Sequence, residues 1–360
     1  LTDYWGHPLA PHRYGERLYP SIEESYRSIY KLLGATPEDT IIFTSSGAEA
    51  VNQAVFSVYL QAMIKGGRTQ FVTTAIEEAP ALMAIGRLEE MGAKVKIAAP
   101  NAEGVVDVQA IGDQLSARTA MVSLSFANGM TGVIQPIQEI AALCKERGVY
   151  LHVDLSHVVG KLKINIEELN VDFASMEGSL FHAPRGVGAL FVRQGVELSP
   201  LIAGGMEQGG YRAGCPNLPL MVAMSQAAKE ALETSDLFCT EIARLRSKLE
   251  QGVLKAYPDA RLLFINALKL PHVSVIAFPG IVNEAMLYRL NQAGVCASIG
   301  GGSSQQLTIL LKACGIETML ALSAVHFSLS RETKEEEIDQ AIVIISGIAK
   351  ELRSLSSGVL

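Results

Sequence analysis

Residues 40–49 have the sequence Thr-Ile-Ile-Phe-Thr-Ser-Ser-Gly-Ala-Glu, and this stretch decides the fold. Its first half, Thr40 to Thr44, is a short apolar run with β-branched residues, which predicts a buried strand. The residues that follow predict a helix from about Ala48 to Ile64. A buried strand that passes directly into a long helix is typical of an α/β protein.

The same alternation of strand and helix continues along the chain to about residue 235. Further strands are predicted over residues 69–73, 93–97, 120–124, 149–153, 173–176 and 187–192, and further helices over residues 79–91 and 137–146. This order predicts a mostly parallel sheet with helices on both faces. Sites in such sheets form at the carboxyl ends of the strands. We therefore predict a large α/β domain over residues 1–235.

The pattern changes at about residue 236. A charged amphipathic helix is predicted over residues 236–256, a strand over 272–278, a helix over 285–292, a strand over 324–329 and a last helix from Lys334. This predicts a smaller α+β domain over residues 236–360. No low-complexity linker separates the two domains, so we expect them to pack closely.

The composition is that of a compact protein, with 49% hydrophobic and 19% charged residues among 360. The net charge of −7 argues against a nucleic-acid partner. No apolar run approaches the roughly 20 residues of a membrane-spanning helix. Leu1 to Pro11 lacks the basic start and apolar stretch of a signal peptide. These features predict a cytoplasmic protein without a membrane or nucleic-acid partner.

The cysteines carry no pairing pattern. There are five, and none forms a CxxC pair: Cys144, Cys215, Cys239, Cys296 and Cys314. We therefore expect neither a disulfide framework nor a metal site, in agreement with a reducing cytosol. Cys296 is expected to be buried on a strand.

Five segments that follow one another in order resemble motifs of one enzyme family. Residues 43–49 resemble its phosphate loop, and residues 151–162, 184–193, 211–214 and 327–339 resemble four further motifs. On these segments the chain resembles the cysteine desulfurases of the NifS and IscS type, members of the class V aminotransferases. The resemblance implies fold type I of the pyridoxal phosphate (PLP) enzymes, with a seven-stranded sheet, and a homodimer whose active site lies at the subunit interface.

At the family's catalytic positions this chain has different residues. Leu180 stands where the family has the lysine that holds PLP as a Schiff base. Ser303 lies nearest to the position of the persulfide-carrying cysteine, and a hydroxyl cannot carry a persulfide. His326 stands in place of the arginine that binds the substrate carboxylate. We therefore predict no catalytic residues of the family type.

The resemblance also locates a vestigial cofactor pocket. The phosphate-binding positions hold Ala48, Glu177, Ser179 and Cys215, and Glu177 would repel a phosphate dianion. Backbone N–H groups after Ser46 and Gly47 could still form a weak anion site. Asp154 matches the carboxylate that binds the pyridine nitrogen, although a role in accepting backbone bonds at the strand end is favoured. Glu78 replaces the stacking histidine, and His157 replaces a glutamine beside the ring hydroxyl.

Three functions are compatible with these positions. The first, which we favour, is a non-catalytic homologue without bound cofactor, which pairs with itself, with an active desulfurase or with an iron–sulfur assembly protein. The second is an enzyme of changed chemistry that holds PLP or pyridoxamine phosphate non-covalently, with His157, His182 or Glu78 as base. The third is a functional desulfurase or aminotransferase. It requires a lysine in the pocket, and the candidates Lys161 and Lys163 match family positions that are not catalytic.

Overall fold

A large sheet of seven strands forms the centre of the computed structural model, which describes residues 5–301 and 305–357. The strand order is β1-β7-β6-β5-β4-β2-β3. Its strands are β1 Thr40–Thr44, β2 Gln70–Thr74, β3 Lys94–Ala98, β4 Thr119–Ser125, β5 Tyr150–Asp154, β6 Phe173–Glu177 and β7 Gly188–Val192. Only β7 runs against the others, because it pairs antiparallel with both β1 and β6. The predicted mostly parallel seven-stranded sheet is thus confirmed.

Helices cover both faces of this sheet. In this part of the chain they are α1 Arg13–Glu16, α2 Tyr19–Leu33, α3 Gly47–Ile64, α4 Ala79–Glu90, α5 Val108–Gly112, α6 Ile137–Arg147, α7 Ile166–Leu169 and α8 Leu218–Glu233. Ile42 of β1 packs in a buried cluster with α3 and α4, whereas Ile41 and Phe43 pack in another cluster with α2, α6 and α8. Successive strand residues point to opposite faces, so one strand supplies both cores.

The remaining part of the chain forms a smaller antiparallel sheet of order β12-β9-β8 and a short hairpin. Its strands are β8 Arg261–Leu262, β9 Val273–Ala277, β10 Gly300–Gly301, β11 Gln305–Gln306 and β12 Ala324–Ser328. Its helices are α9 Ser235–Leu237, α10 Ala243–Ala256, α11 Asn283–Gln292, α12 Leu307–Ala313, α13 Thr318–Ala321 and α14 Glu335–Ser357. Helices α10, α11 and α14 bury their apolar sides against β9 and β12 in a core of their own. The division at residue 236 stays a prediction.

One predicted element differs in detail from the structure. The single helix expected over residues 236–256 is interrupted by a π-helical turn at Phe238–Ile242, between α9 and α10. Both Phe238 and Ile242 are buried in the smaller core. A π turn is a recognised way to insert a residue into a helix, and the sequence pattern gives no sign of it.

The segment Leu268–Leu270 lies between the loop that follows β4 and helix α10. The N–H of Ile134 donates to the Leu268 carbonyl oxygen at 2.9 Å, and the N–H of Leu270 donates to the Gly132 carbonyl oxygen at 2.7 Å. From the other side, Arg246 of α10 donates to the Leu270 carbonyl oxygen at 3.1 Å. The segment is therefore held by both halves of the molecule.

Two further sequence-based expectations concern membrane spans and thiols. Within the described residues, none of the helices combines the length and apolar character needed to cross a membrane. All five cysteines are free, with Cys144 and Cys314 buried and Cys215, Cys239 and Cys296 exposed. The prediction that Cys296 is buried on a strand is wrong, because it lies in the exposed loop after α11.

Candidate active site

A cavity of about 480 Å³ opens where the carboxyl ends of the central strands face the smaller sheet. Four residues singled out in the sequence meet in its wall: Glu78, His157, Leu180 and His326. The other lining residues are Gly129, Met130, Lys161, His272, Val273, Ser298, Gly300, Gly301 and Ser328. The structure thus brings these four residues together at the edge of the sheet where such sites form, whereas Asp154, Ser46, Gly47 and Ser179 of the predicted pocket do not line this cavity.

Glu78 and His157 contact each other across one side of the cavity. His157 Nε2 lies 3.4 Å from Glu78 Oε1. The same carboxylate oxygen accepts a hydrogen bond from the Gly129 N–H at 3.2 Å. A side chain at position 129 could not coexist with this arrangement, because its Cβ would lie 2.3 Å from the His157 ring. The two residues that replace the ring-binding groups of the family therefore bind each other.

Asp154 ends β5 and is buried. Its Oδ1 accepts a hydrogen bond from the Ser156 N–H at 2.9 Å. Burial raises the pKa of this carboxyl group, and the bonds from Ser156 act in the opposite direction. The carboxylate thus holds the backbone of the turn that leads to His157.

The amino end of α3 holds a carboxylate from the protein itself. Glu177 Oε2 accepts a hydrogen bond from the Gly47 N–H at 2.7 Å. Glu177 Oε1 accepts from the Ser179 hydroxyl at 3.0 Å and from the Ser179 N–H at 3.3 Å. Ser46 caps the same helix by accepting from the Glu49 N–H at 3.2 Å. The Gly47 N–H, which the sequence predicts to be part of a weak anion site, therefore already donates to Glu177.

Lys161 enters the cavity although the sequence interpretation gave it no role there. Its Nζ donates to the Leu180 carbonyl oxygen at 2.6 Å. Burial lowers the pKa of this ammonium group to about 8. Lys163 is exposed and lines a different cavity of about 510 Å³. A functional desulfurase requires a lysine in the pocket, and of the two candidates only Lys161 lines this cavity.

Two histidines line the side of the cavity formed by the smaller sheet. His326 Nδ1 donates to the Met130 carbonyl oxygen at 2.7 Å, and burial lowers its pKa. His272 was not singled out in the sequence, although it begins a predicted strand. Its Nδ1 is buried and lacks a hydrogen-bond partner among the described residues. Burial, and then the charge of nearby Lys161, lower the pKa of His272 to about 3.

Glu77 is a second residue that the sequence interpretation missed. It is buried, and its carboxylate accepts from the Thr74 hydroxyl at 2.6 Å and from both the N–H and hydroxyl of Ser125 at 2.7 and 2.6 Å. Burial raises the pKa of Glu77 to about 7. A signal was present, since only three residues separate the Glu77-Glu78 pair from the end of the predicted strand 69–73, whose carboxyl end faces the site.

The remaining predicted residues lie apart from this cavity or outside the described residues. Ser303 falls in the latter group. His182 follows the short turn at Gly178–Phe181 in a left-handed conformation, with φ of 74°, and it does not line the cavity. Among the described residues, no group of three His, Cys, Asp or Glu side chains is placed to hold a metal ion.

Comparison with known proteins identifies relatives along the whole chain. The model of the aminotransferase class-V family matches residues 2–341. The chain is 35% identical to a cysteine desulfurase of Nostoc sp. over 359 residues, which covers 99% of this chain and 89% of the relative. It is 36% identical to a cysteine desulfurase of Sinorhizobium fredii over 357 residues, with 98% and 92% covered. A solved NifS-like protein superposes with a TM-score of 0.90 at 30% identity, covering 97% of this chain and 93% of that one.

Proposed function

The chain belongs to the aminotransferase class-V family and is a cysteine desulfurase homologue with the type I fold, and from this premise we propose that it has lost the desulfurase reaction. In this proposal the chain acts as a non-catalytic member of a family that uses PLP. The observation that carries the proposal is the Glu177 carboxylate bound to the Gly47 N–H at the amino end of α3.

This carboxylate does not fit PLP as the family holds it. A phosphate group placed on the Gly47 N–H would lie beside the Glu177 carboxylate, and two unit charges about 4 Å apart repel by about 4 kcal/mol at an intermediate effective dielectric. The phosphate would also have to displace hydrogen bonds that Gly47 and Ser179 already make. The Gly47 N–H thus already has a partner within the protein.

Leu180 supports the proposal independently of Glu177. Its side chain is 37% exposed and lines the cavity at the position where the family has the Schiff-base lysine. A leucine side chain offers neither an amine for covalent attachment nor a group that can carry a proton. Together, the residues at positions 177 and 180 lack the phosphate-binding and covalent contacts that hold the cofactor.

Absorption and sulfide release test the proposal together. We expect the full chain, incubated with PLP and then dialysed, to retain no visible absorption band and to release no sulfide from cysteine. The double variant Glu177→Ser, Leu180→Lys is the matched control, because it restores the family residue at both positions. Sulfide release by the unchanged protein, accompanied by a retained band, would overturn the proposal.

A non-catalytic homologue acts by association, and we propose that this chain forms a homodimer or pairs with an active desulfurase or an iron–sulfur assembly protein. The resemblance supports this, because it implies that the pocket lies at a subunit interface. Light scattering on the chain alone and after mixing with an active cysteine desulfurase measures the association. We expect a dimer mass, and a monomer under both conditions contradicts this part of the proposal.

A second candidate function is an enzyme of changed chemistry, and the presence of the candidate bases His157 and Glu78 in the cavity wall is the observation that favours it. In this case PLP or pyridoxamine phosphate would remain bound through dialysis without covalent attachment at position 180. Retained cofactor that borohydride does not fix to the protein distinguishes this candidate from both the non-catalytic homologue and a functional desulfurase.

A further inference from the structure

Lys161 is a cavity lysine without a carboxylate partner among the described residues. Its Nζ contacts the carbonyl oxygens of Leu180 at 2.6 Å and Val159 at 3.5 Å. These contacts place the amine beside the backbone of the residue that stands at the family's lysine position. An ammonium group that is held by carbonyl dipoles alone is easier to deprotonate than one in an ion pair.

The walls around this amine suit a small molecule with a carbonyl group and a carboxylate. The cavity of about 480 Å³ can contain a compound of a few heavy atoms. His272 lines the cavity, and a ring N–H of its imidazole can donate to a carboxylate there. The Glu78 carboxylate, which would repel such a ligand, is engaged by His157 and by the Gly129 N–H. Leu180, Met130 and Val273 supply apolar contacts.

We propose that Lys161 forms an imine with a small 2-oxo acid in this cavity, with His272 binding the acid's carboxylate. The lowered pKa of Lys161, about 8, leaves a large fraction of the amine neutral near that pH, whereas an ordinary lysine is almost fully protonated there. This inference goes beyond the proposed function, since it assigns a covalent site to a pocket that is proposed to lack the cofactor.

The step balances without an oxidant or a reductant. The Nζ lone pair forms a bond to the carbonyl carbon, and the carbonyl π electrons move to the oxygen, which takes a proton from the nitrogen. The hydroxyl group then leaves as water with the second proton of the amine, and the C=N bond forms. One amine and one oxo acid thus give one imine and one water.

Reductive trapping tests this site on the full chain without added PLP. The protein is incubated with pyruvate and borohydride, and peptide mass mapping quantifies the adduct at every lysine. We expect Lys161 to be labelled at least about tenfold faster than Lys163, because burial lowers the pKa of Lys161 to about 8 and leaves a large fraction of its amine neutral near that pH. Equal labelling of Lys161 and Lys163 in the unchanged protein overturns the inference.

Two controls sharpen this result. Lys161→Met should abolish the fast adduct while Lys163→Met should keep it, and circular dichroism verifies that both variants are folded. If Lys161→Met does not fold, the labelling ratio within the unchanged protein decides. Acetone, which lacks the carboxylate of pyruvate, should show a smaller preference for Lys161 over Lys163, and an equal preference contradicts the assignment of an oxo acid.

The outcome is independent of the proposed loss of desulfurase activity. Absence of both the pyruvate adduct and sulfide release refutes the imine site and leaves the proposed function standing. Sulfide release from cysteine refutes the proposed function whether or not Lys161 is labelled.

Discussion

At the scale of single residues, the carboxylates in and beside the candidate site are bound by other groups of the protein. Glu177 binds the N–H of Gly47, and Glu78 contacts His157. Glu77 is buried among hydroxyl and N–H donors of Thr74 and Ser125. Each carboxylate lies where a buried polar group requires partners, and each has them within the chain.

Replacing Glu177 should uncover an anion site. In Glu177→Ser the Gly47 N–H and the Ser179 hydroxyl lose their carboxylate, so inorganic phosphate should bind at least about tenfold more tightly than to the unchanged protein. Isothermal titration calorimetry with phosphate measures the difference. Glu90→Ser removes an exposed carboxylate at the end of α4 and should leave phosphate binding unchanged. Equal weak binding by all three proteins contradicts the assignment.

Glu77 should make stability depend on pH. Its folded pKa of about 7 lies above the ordinary value of 4.5, so the folded state binds more protons between these values. Stability attributable to this group therefore falls as pH rises through that window, by up to about 3 kcal/mol. Urea unfolding of the unchanged protein and Glu77→Gln at both ends of the window measures the effect. The glutamine variant should gain relative stability as pH rises, and a constant difference would falsify the explanation.

At the scale of elements, β7 allows the β1–α3 turn to lie close to the sheet. A Cβ on Gly188 would lie 2.5 Å from the Ser46 carbonyl carbon and 2.6 Å from the Gly47 nitrogen. The glycine thus permits direct contact between the start of β7 and the helix terminus that holds Glu177. The position of the Gly47 N–H that binds Glu177 therefore depends on this contact between the backbones of β7 and the β1–α3 turn.

A methyl group at position 188 should loosen that contact. Gly188→Ala should destabilise the protein by about 1–3 kcal/mol, because backbone atoms rather than a flexible side chain must move. Chemical denaturation measures the loss. Gly347→Ala in α14 is the matched control, since nothing lies within 4 Å of its added Cβ, and it should stabilise the helix by up to about 1 kcal/mol. A neutral Gly188→Ala would show that the turn can move freely.

The sequence predicts these elements better than the side-chain directions in the site. The apolar run Thr40–Thr44 predicts β1, since a buried strand needs apolar residues on both faces. The direction of the Lys161 side chain cannot be predicted in this way. Lys161 lies in an irregular turn, where neither the two-residue period of a strand nor the 3.6-residue period of a helix fixes the direction of a side chain. Nor does any local pattern show that Glu177 turns toward Gly47, because these residues lie 130 positions apart.

At the scale of the whole molecule, a cluster of charged residues joins α10 to the segment Leu268–Leu270. Glu250 of α10 lies 3.8 Å from Arg246 Nε and 3.7 Å from Lys269 Nζ. Lys269 belongs to the segment Leu268–Leu270, which is bound through Gly132 and Ile134 of the loop between β4 and α6. The cluster therefore supports the region from which His272 reaches the cavity.

Removal of the central carboxylate should weaken this connection. Glu250→Met leaves two partly buried cations without their carboxylate, so we expect a loss of about 1–3 kcal/mol in the free energy of unfolding. The double variant Glu250→Met, Lys269→Met should be less destabilised than the sum of the single changes, because one uncompensated cation is also removed. Additive losses in urea unfolding contradict a coupled cluster.

The Glu177 carboxylate also has a consequence for how the protein responds to its surroundings. A group attached to the chain next to its binding site has an effective concentration of at least about millimolar, which free phosphate esters at trace concentrations cannot match. Proteins that depend on a separate ligand gain stability only when that ligand is supplied. Under the proposed function the occupant of this position, Glu177, belongs to the chain itself, so we expect the stability of the fold not to depend on the supply of vitamin B6.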